Sequence, residues 1–393
     1  MNTNGATRPS RGQGGFGLIE IMVGLVIGLI AVLVIYQVFT VSEGFKRNTT
    51  AAGEAQMNGL FSTFVLGMEL GNGGAAMAVS RTDLASCADT GNIATTFRPI
   101  PVLITDGGGN SNPDSFVVTY SMATTLVSTA MFNFPAAAGA LTYDIQSTGG
   151  FHKGDLIVGI ANPVGTNSEC GSSKVTADPG PIIVPPTCDP NDPVKSANCL
   201  AHMTIAHTGT NVPFTGNGLS GSSTLFNMGP ADRAQKIRYS VINGVLYSTP
   251  LLDSNGVPAV LPGNPLASNI VNMKVEYGID SDGDQLGLLD YWVQGIAATP
   301  KGDWSPAAIL PATVTTINKI KAVRIGIIVQ SEQFDKTLGD YNWVLFDCAD
   351  AIKANCHGRL TGTIAAQSPT GNWRFRKYET VIPLRNEIWN KAS

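Results

Sequence analysis

The chain contains a long apolar segment near its N-terminus, at residues 16–41. Its central part, residues 21–36, has no charged or strongly polar side chain. As a helix, the segment is long enough to cross a hydrocarbon core of about 30 Å. Arg8 and Arg11 precede it without any acidic residue, so we expect residues 1–15 to stay in the cytoplasm and the remainder to be exported.

One acidic residue, Glu20, lies in the first turns of this predicted helix. An acid within a membrane costs about 2.5–3.5 kcal/mol on insertion scales and is usually retained for a function. A secretory signal peptide needs small residues at a cleavage site after the apolar run, and residues 36–40 (YQVFT) do not supply them. A plain signal anchor explains the length and the positive flank, but it leaves Glu20 without a role.

Residues 14–23 read GGFGLIEIMV and resemble the type III signal of type IV pilins and pseudopilins. In that family prepilin peptidase cuts after the glycine and methylates the new amino terminus. The resemblance places the cut between Gly15 and Phe16. It also implies that Glu20 of one subunit pairs with the amino terminus of its neighbour during assembly, because a buried cation and a buried anion are each costly alone.

The pattern becomes amphipathic after residue 41, with apolar side chains at three- and four-residue steps. These side chains are Phe45, Ala52, Met57, Leu60, Phe61, Phe64 and Met68. We predict a helix that continues to about Leu70 and is ended by residues 71–74 (GNGG). Residues 16–41 would form its transmembrane half, and residues 42–70 its periplasmic half, packed against a globular head.

Residues 71–393 form the predicted head, and strand signals dominate it. The chain has 393 residues, of which 43% are hydrophobic and only 14% charged, and its 44 glycines and 23 prolines favour many short strands with turns. We predict strands at 115–120, 155–160, 237–242, 245–248, 271–279, 288–293 and 320–331. The fold class is therefore α+β, with a pilin-like long N-terminal helix and a large, mainly antiparallel β-rich head.

Two finer predictions concern the connections within the head. Asn243-Gly244 is expected to form the tight turn of a hairpin, because both of its central residues need positive φ. Residues 161–230 are rich in Pro, Gly, Asn and Ser and are predicted to form a loop-rich, disulfide-tied insertion.

Six cysteines follow the membrane segment: Cys87, Cys170, Cys188, Cys199, Cys348 and Cys356. None forms a C-x-x-C pair, so a zinc ribbon or a thioredoxin-like motif is unsupported. An even number on the exported side favours disulfides, with buried free thiols as the alternative. Short loops favour Cys188–Cys199 and Cys348–Cys356, which leaves Cys87–Cys170, although the sequence alone does not choose among the pairings.

Alternating acids at Asp280, Asp282 and Asp284 could present several oxygens to Ca²⁺. Gln285 follows the third acid and Tyr291 holds the twelfth position, so the segment departs from an EF-hand loop. A polar hairpin tip without metal is the favoured interpretation, since Asp and Gly are common in such tips. We therefore expect no cofactor and retain calcium as the candidate ligand of this loop.

Three head segments resemble the PilW family of type IV pilus minor pilins: residues 113–120 (PDSFVVTY), 320–331 (IKAVRIGIIVQS) and 374–386 (RFRKYETVIPLRN). The resemblance implies a structural protein that primes pilus assembly and lies at or near the filament tip. It implies a start in the inner membrane, with the head in the periplasm, and an end in the pilus on the cell surface. The implied partners are prepilin peptidase, other minor pilins, the major pilin and a tip adhesin.

The remaining alternatives belong to other functional classes. A minor pseudopilin of a type II secretion system would share the leader and the helix. A signal-anchored periplasmic enzyme would need a convergent catalytic set, and no Gly-x-Ser-x-Gly motif occurs in the chain, so we expect no enzymatic activity. A net charge of −4 offers no basic surface for nucleic acid. A calcium-dependent adhesive head is the third alternative.

Overall fold

The structure is a computed structural model that describes residues 15, 17–75, 100–121, 129–132, 140–147, 149–160, 170–179, 203–208, 224–231, 234–251, 262–281, 289–297, 299–310, 314–334, 338–347, 359–365 and 372–385. The chain divides into two compact units, Met1–Gly53 and Glu54–Ser393. All strands of the described residues belong to the second unit. The predicted α+β class is confirmed.

A single long helix, α1, runs from Leu18 to Asn72 and contains 55 residues. It is long and apolar enough to cross a membrane. Between Leu18 and Val41 every large hydrophobic side chain leaves more than half of its surface exposed. A helix that is apolar on all sides requires an apolar surrounding, which agrees with the predicted membrane segment. The helix ends where expected, with the Gly73 N–H donating to the Leu70 carbonyl and Gly74 at a φ of 76°.

The second unit contains seventeen described strands and two short helices. The strands are β1 (Val102–Thr105), β2 (Ser115–Ser121), β3 (Thr129–Met131), β4 (Thr142–Ile145), β5 (Asp155–Ile160), β6 (Cys170–Lys174), β7 (Met203–Ala206), β8 (Thr224–Pro230), β9 (Ala234–Ile242), β10 (Val245–Pro250), β11 (Asn264–Ser268), β12 (Ile270–Ile279), β13 (Tyr291–Gln294), β14 (Ile320–Phe334), β15 (Tyr341–Leu345), β16 (Leu360–Ile364) and β17 (Trp373–Pro383). The helices are α2 (Pro306–Ile309) and α3 (Val314–Asn318).

Two antiparallel sheets enclose the main core. Sheet I has the strand order β1-β2-β9-β10-β11, and sheet II has the order β13-β12-β14-β17. Their inner faces alternate apolar residues at period two, as the pleat of a strand requires. Buried side chains from both sheets and from α1 form one cluster, which includes Leu66, Leu70, Phe116, Val118, Tyr239, Met273, Val275, Tyr277, Ile325 and Ile327. The Ile104 backbone N–H donates to the Tyr277 hydroxyl at 2.6 Å and joins the two sheets at this core.

A second core lies in the middle of the sequence. Strands β3-β8-β5-β6 form a four-stranded sheet, and β4-β7 form a two-stranded one. Phe132, Tyr143, Ile145, Ile157 and Ile205 are completely or almost completely buried among these strands. Three of the strands, β6, β7 and β8, fall within 161–230. The described part of that stretch therefore holds paired strands and contributes to a core, where the sequence predicted loops.

The hairpin β15–β16 covers the outer face of sheet II. Trp343, Leu345 and Leu360 from this hairpin pack on Ile328 of β14. Gly326 of β14 lies beneath Leu345, whose side-chain carbons would be 2.9–3.2 Å from any Cβ at that position. As a result, sheet II is buried on both faces near its centre, where β12 and β14 pair.

The predicted Asn-Gly hairpin is confirmed. Strands β9 and β10 pair in antiparallel register with Ile242 opposite Val245. Asn243 and Gly244 connect them at φ values of 50° and 78°, the left-handed conformation that a two-residue turn of this kind needs. The second predicted hairpin is also confirmed, since β12 pairs antiparallel with β13 and places Ile279 opposite Tyr291.

Candidate functional site

The start of α1 contains the residues of the predicted processing signal. Gly15 and Gly17 are exposed, and Phe16 lies outside the described residues. Glu20 lies in the first turn, where its backbone N–H donates to the Gly17 carbonyl at 2.9 Å. Its side chain is exposed, at the end of the helix where unpaired N–H groups favour a negative charge. The helix therefore presents one carboxylate at the beginning of an otherwise apolar surface.

The apolar part of α1 offers positions where another helix can approach closely. Gly24 and Gly28 are one turn apart, and a Cβ built on either would meet no atom within 4 Å. Small residues at this spacing allow close contact between helices in a membrane. Beyond the apolar part, Glu43 and Arg47 form an exposed ion pair at 3.4 Å with the favourable four-residue spacing.

The part of α1 within the second unit packs on the sheets through small residues and two leucines. Ala55, Leu66 and Leu70 are buried in the main core. Gly59 lies beneath the ring of Tyr378, and a Cβ built on Gly67 would be 4.0 Å from the Ile382 side chain. The absence of a side chain at Gly59 lets the helix backbone lie close to β17.

Polar contacts fix the same helix face on sheet I. The Tyr120 hydroxyl donates to the Glu69 carboxylate at 2.7 Å. Burial, reinforced by this carboxylate, raises the pKa of Tyr120, so the phenol remains a donor at physiological pH. The Asn58 amide donates to the backbone carbonyl of Ser268 at 3.2 Å. These two contacts are about three turns apart on α1 and set its axial position on the sheet.

The opposite face of this helix segment carries five large apolar side chains that the head leaves uncovered. We call this set the α1 stripe: Met57, Leu60, Phe61, Phe64 and Met68. Their exposed fractions range from 46% at Phe61 to 71% at Met57. At about 100° per residue, the five positions fall within an arc of about 100°, so they form one continuous strip.

This arrangement corrects the sequence-based interpretation of the amphipathic pattern. The second half of the helix packs on the head as predicted, but five of the seven residues of the predicted apolar pattern, those of the α1 stripe, are left exposed. The spacing of apolar residues shows which face of a helix is apolar, but it does not show which surface that face contacts. The small residues on the other face, Gly59 and Gly67 among them, are the sequence signal that a close helix–sheet contact lies there.

The α1 stripe has the properties of an interaction surface. Exposed apolar patches of this kind on soluble domains mark sites of association, because apolar area in contact with water is unfavourable. The stripe has flexible methionines at both ends and aromatic rings between them, side chains that can adapt to the shape of another apolar surface. The chain therefore offers an anchoring surface at 18–41 and a docking stripe at 57–68.

The acidic hairpin loop is only partly described. Asp280 is buried, its backbone N–H donates to the Lys319 carbonyl at 2.9 Å, and Asp282 and Asp284 lie outside the described residues. Both the backbone N–H and the hydroxyl of Ser281 donate to the Asp290 carboxylate, which closes the base of the loop. Among the described residues there is no group of three or more His, Cys, Asp or Glu side chains arranged to hold a metal. Calcium binding by the whole loop stays a prediction.

Five of the six cysteines lie outside the residues that the structure describes. Cys87, Cys188, Cys199, Cys348 and Cys356 all fall in undescribed segments. Cys170 begins β6, where its backbone pairs with Ile160 of β5. The disulfide pairings proposed from the sequence therefore stay predictions.

Two family models match the chain. Residues 241–386 match the family described as type IV pilus-assembly protein W. Residues 10–36 match the prokaryotic N-terminal methylation motif. The first match covers β12, β14 and β17, and the second covers the processing signal and the first turns of α1. The resemblance inferred from the leader and from the head segments at 320–331 and 374–386 is thereby confirmed, while the segment at 113–120 lies outside both matches. No curated protein and no solved structure matches the chain.

Proposed function

We propose that this chain is a minor pilin that primes assembly of a type IV pilus and lies at or near the filament tip. One observation carries the proposal: α1 combines an apolar segment that has Glu20 in its first turn and a stripe of large apolar side chains that the head leaves uncovered. The two family matches support the same class of protein. The proposed role is structural.

Processing is the first step of the proposed function. Prepilin peptidase removes residues 1–15 by cutting between Gly15 and Phe16 and methylates the new amino group. The mature chain then carries an ammonium group at its new amino terminus, near the lipid. The Glu20 carboxylate lies close to it in sequence, in the first turns of the helix. Each charge is costly alone in hydrocarbon, so pairing Glu20 with the amino terminus of a neighbouring subunit favours insertion in one axial register.

The proposed location follows from the charge at the two ends of the apolar segment. Arg8 and Arg11 keep the leader in the cytoplasm, so the chain spans the inner membrane once with its head in the periplasm. The oxidising periplasm allows the six cysteines to form disulfides. From there the subunit moves into the pilus on the cell surface.

The α1 stripe is the proposed contact with other pilin subunits. Its five exposed side chains offer an apolar face to a second pilin helix, and Gly24 and Gly28 allow close approach within the membrane. Other minor pilins and the major pilin are the proposed partners, together with a tip adhesin carried by the head.

The test of processing is mass spectrometry of the chain extracted from membranes, with and without prepilin peptidase. We expect a chain that begins at methylated Phe16 only when the peptidase is present. A chain that still begins near Met1, or that is cut after residue 41, would overturn the proposal.

A second experiment separates the pilus from a secretion system. We expect deletion of the gene to abolish or sharply reduce surface pili while type II secretion continues. The reverse result, normal pili with a secretion defect, would assign the chain as a minor pseudopilin instead.

A further inference from the structure

Lys274 lies near the middle of β12 on the outer face of sheet II, and its side chain is completely buried. Its Nζ donates to the Asp114 Oδ1 at 2.7 Å and to the Gly109 carbonyl at 2.8 Å. The Asp106 carboxylate is 3.9 Å away. An ammonium group and a carboxylate are thus held in contact away from water, which is unusual for lysine.

Asp114 immediately precedes β2 and is 1% exposed. Its Oδ1 also accepts the Gly107 N–H at 3.0 Å, and its Oδ2 accepts the Val275 N–H at 2.9 Å. Burial raises the pKa of Asp114, although the adjacent Lys274 opposes that shift. The site therefore favours the uncharged carboxylic acid of Asp114 more than water does.

A second buried carboxyl group, Glu276, lies two residues along the same strand and so on the same face. Its Oε2 pairs with Arg324, whose guanidinium lies 4.6 Å from the Trp292 ring centre and 4.3 Å from that of Phe346. Its Oε1 is buried and has no hydrogen-bond partner among the described residues. Burial raises the pKa of Glu276 to about 7, so this group exchanges protons near neutral pH.

We propose that Lys274 and Asp114 condense into an intramolecular amide crosslink. The Lys274 amine attacks Cγ of Asp114, a nitrogen–carbon bond forms, and one carbon–oxygen bond of the carboxyl group breaks. The released oxygen leaves as water with two protons from the original ammonium group. An ammonium and a carboxylate thereby become one amide and one water molecule, with no oxidant or reductant.

The surroundings supply what this condensation needs. Fixed contact between the two groups replaces an encounter in solution by an intramolecular step. The Val275 and Gly107 N–H groups donate to the carboxyl oxygens, where negative charge develops in the tetrahedral intermediate. Glu276 is assigned the transfer of the proton between the amine and the leaving oxygen. Exclusion of water from the buried site favours the amide over its hydrolysis.

The crosslink would connect parts of the chain that are 160 residues apart. One partner lies on β12 in sheet II, and the other precedes β2 in sheet I, so the bond would fasten the two sheets to each other. Closing so long a loop covalently also restricts the unfolded chain. The chemistry does not depend on the proposed function.

The test is the intact mass of the full chain, purified from membranes in detergent and fully reduced. We expect the measured mass to be lower by one water molecule than the mass calculated from the sequence. The calculation uses the N-terminus that is actually observed. Because trypsin needs a free lysine amine, we also expect no cleavage after Lys274 and a branched peptide that joins the segments containing Asp114 and Lys274. A chain of full mass that trypsin cuts after Lys274 would overturn the crosslink and leave an ion pair.

Substitutions of single lysines test whether the crosslink forms at Lys274. Lys274→Arg keeps the positive charge but lacks the nucleophilic amine, and it should show the full mass. Lys377→Arg is the matched control, because Lys377 and Glu379 form a similar pair at 3.1 Å that is exposed, and it should keep the loss of one water. A mass deficit that persists in Lys274→Arg would refute the assignment to this pair.

Glu276→Gln tests the proton transfer. We expect the crosslinked fraction to fall strongly in this variant, whereas Glu379→Gln should leave it unchanged. If Glu276→Gln crosslinks completely and as fast as the natural chain, the role of Glu276 is wrong.

Discussion

Gly59 of α1 lies directly beneath the aromatic ring of Tyr378 of β17, with no room for a side chain between them. Gly59→Ala should therefore push the helix away from sheet II. Overpacking of this kind costs about 1–3 kcal/mol, more than the helix gains by losing a glycine. The measurement is the free energy of unfolding of the full chain in detergent.

Gly53 provides the matched control for that substitution. It lies in the same helix, and a Cβ added there would meet no atom within 4 Å. Gly53→Ala should leave stability unchanged or raise it by up to about 1 kcal/mol, because alanine favours the helix. Equal effects of the two substitutions would contradict the close helix–sheet contact.

A substitution in the α1 stripe should impair pilus assembly without affecting the stability of the folded chain. Phe64→Ser removes a large ring that is mostly exposed, so the free energy of unfolding should change by less than about 0.5 kcal/mol. The number of surface pili, counted by electron microscopy in a strain carrying only this variant, should fall clearly. Normal piliation with this variant would exclude the stripe as an assembly surface.

Leu66, on the opposite face of the same helix, should behave in the reverse way. It is completely buried in the main core, so Leu66→Ala should lower the free energy of unfolding by about 2–5 kcal/mol. A comparison of the two variants distinguishes loss of contact between subunits from loss of the folded head. If Leu66→Ala is as stable as the natural chain, the assignment of the two faces is wrong.

Glu276 predicts a dependence of stability on pH. Its pKa is raised from 4.5 to about 7 in the folded chain, mainly by burial and against the opposing effect of Arg324. The folded chain therefore holds a proton that the unfolded chain releases, and stability should fall as pH rises from about 4.5 to about 7. The slope is at most about 1.4 kcal/mol per pH unit.

Glu276→Gln should remove this part of the pH dependence, because glutamine does not titrate. Unfolding free energies across pH 4.5 to 7 check it, with Glu379→Gln as a control at an exposed ion pair of the same sheet. A slope that is the same in the natural chain and in Glu276→Gln would assign the pH dependence to other groups.

The turn between β9 and β10 predicts a local backbone effect. Gly244 has a φ of 78°, a conformation that costs other residues about 1–2 kcal/mol. Gly244→Ala should lower the thermal unfolding midpoint, while Asn243→Gly should be tolerated since φ at that position is also positive. An unchanged midpoint for Gly244→Ala would mean that the hairpin turn relaxes without cost.

Local signals in the sequence were sufficient for much of this architecture. Asn243-Gly244 specified its turn because the conformation depends on two adjacent residues. The segment at 320–331 specified β14 because its length and its many branched apolar side chains suit a strand that is largely buried on both faces. The leader and Glu20 could be identified from the sequence because charged side chains are rare within a membrane helix.

Features that depend on contacts between residues far apart in the sequence could not be predicted in the same way. The segment of β6, CGSSK, has weak strand propensity, and its pairing with β5 supplies the hydrogen bonds that make it a strand. Lys274 alternates with Met273 and Val275, so the pattern alone suggests a solvent-facing lysine. The loop that precedes β2 covers it, and this contact joins residues 160 positions apart.

The positions where α1 approaches β17 also define how the helix and the strand run relative to each other. A Cβ on Gly59 would overlap the Tyr378 ring, and one on Gly67 would be 4.0 Å from Ile382. The helix and the strand therefore run in the same direction here, advancing by about 12 Å and about 13 Å respectively. Strand β17 is joined to β14 by a long antiparallel ladder along the same axis. A pull along the helix would therefore load that ladder in shear, with its hydrogen bonds sharing the force side by side. Such a geometry resists tension far better than one in which the bonds open in sequence like a zipper.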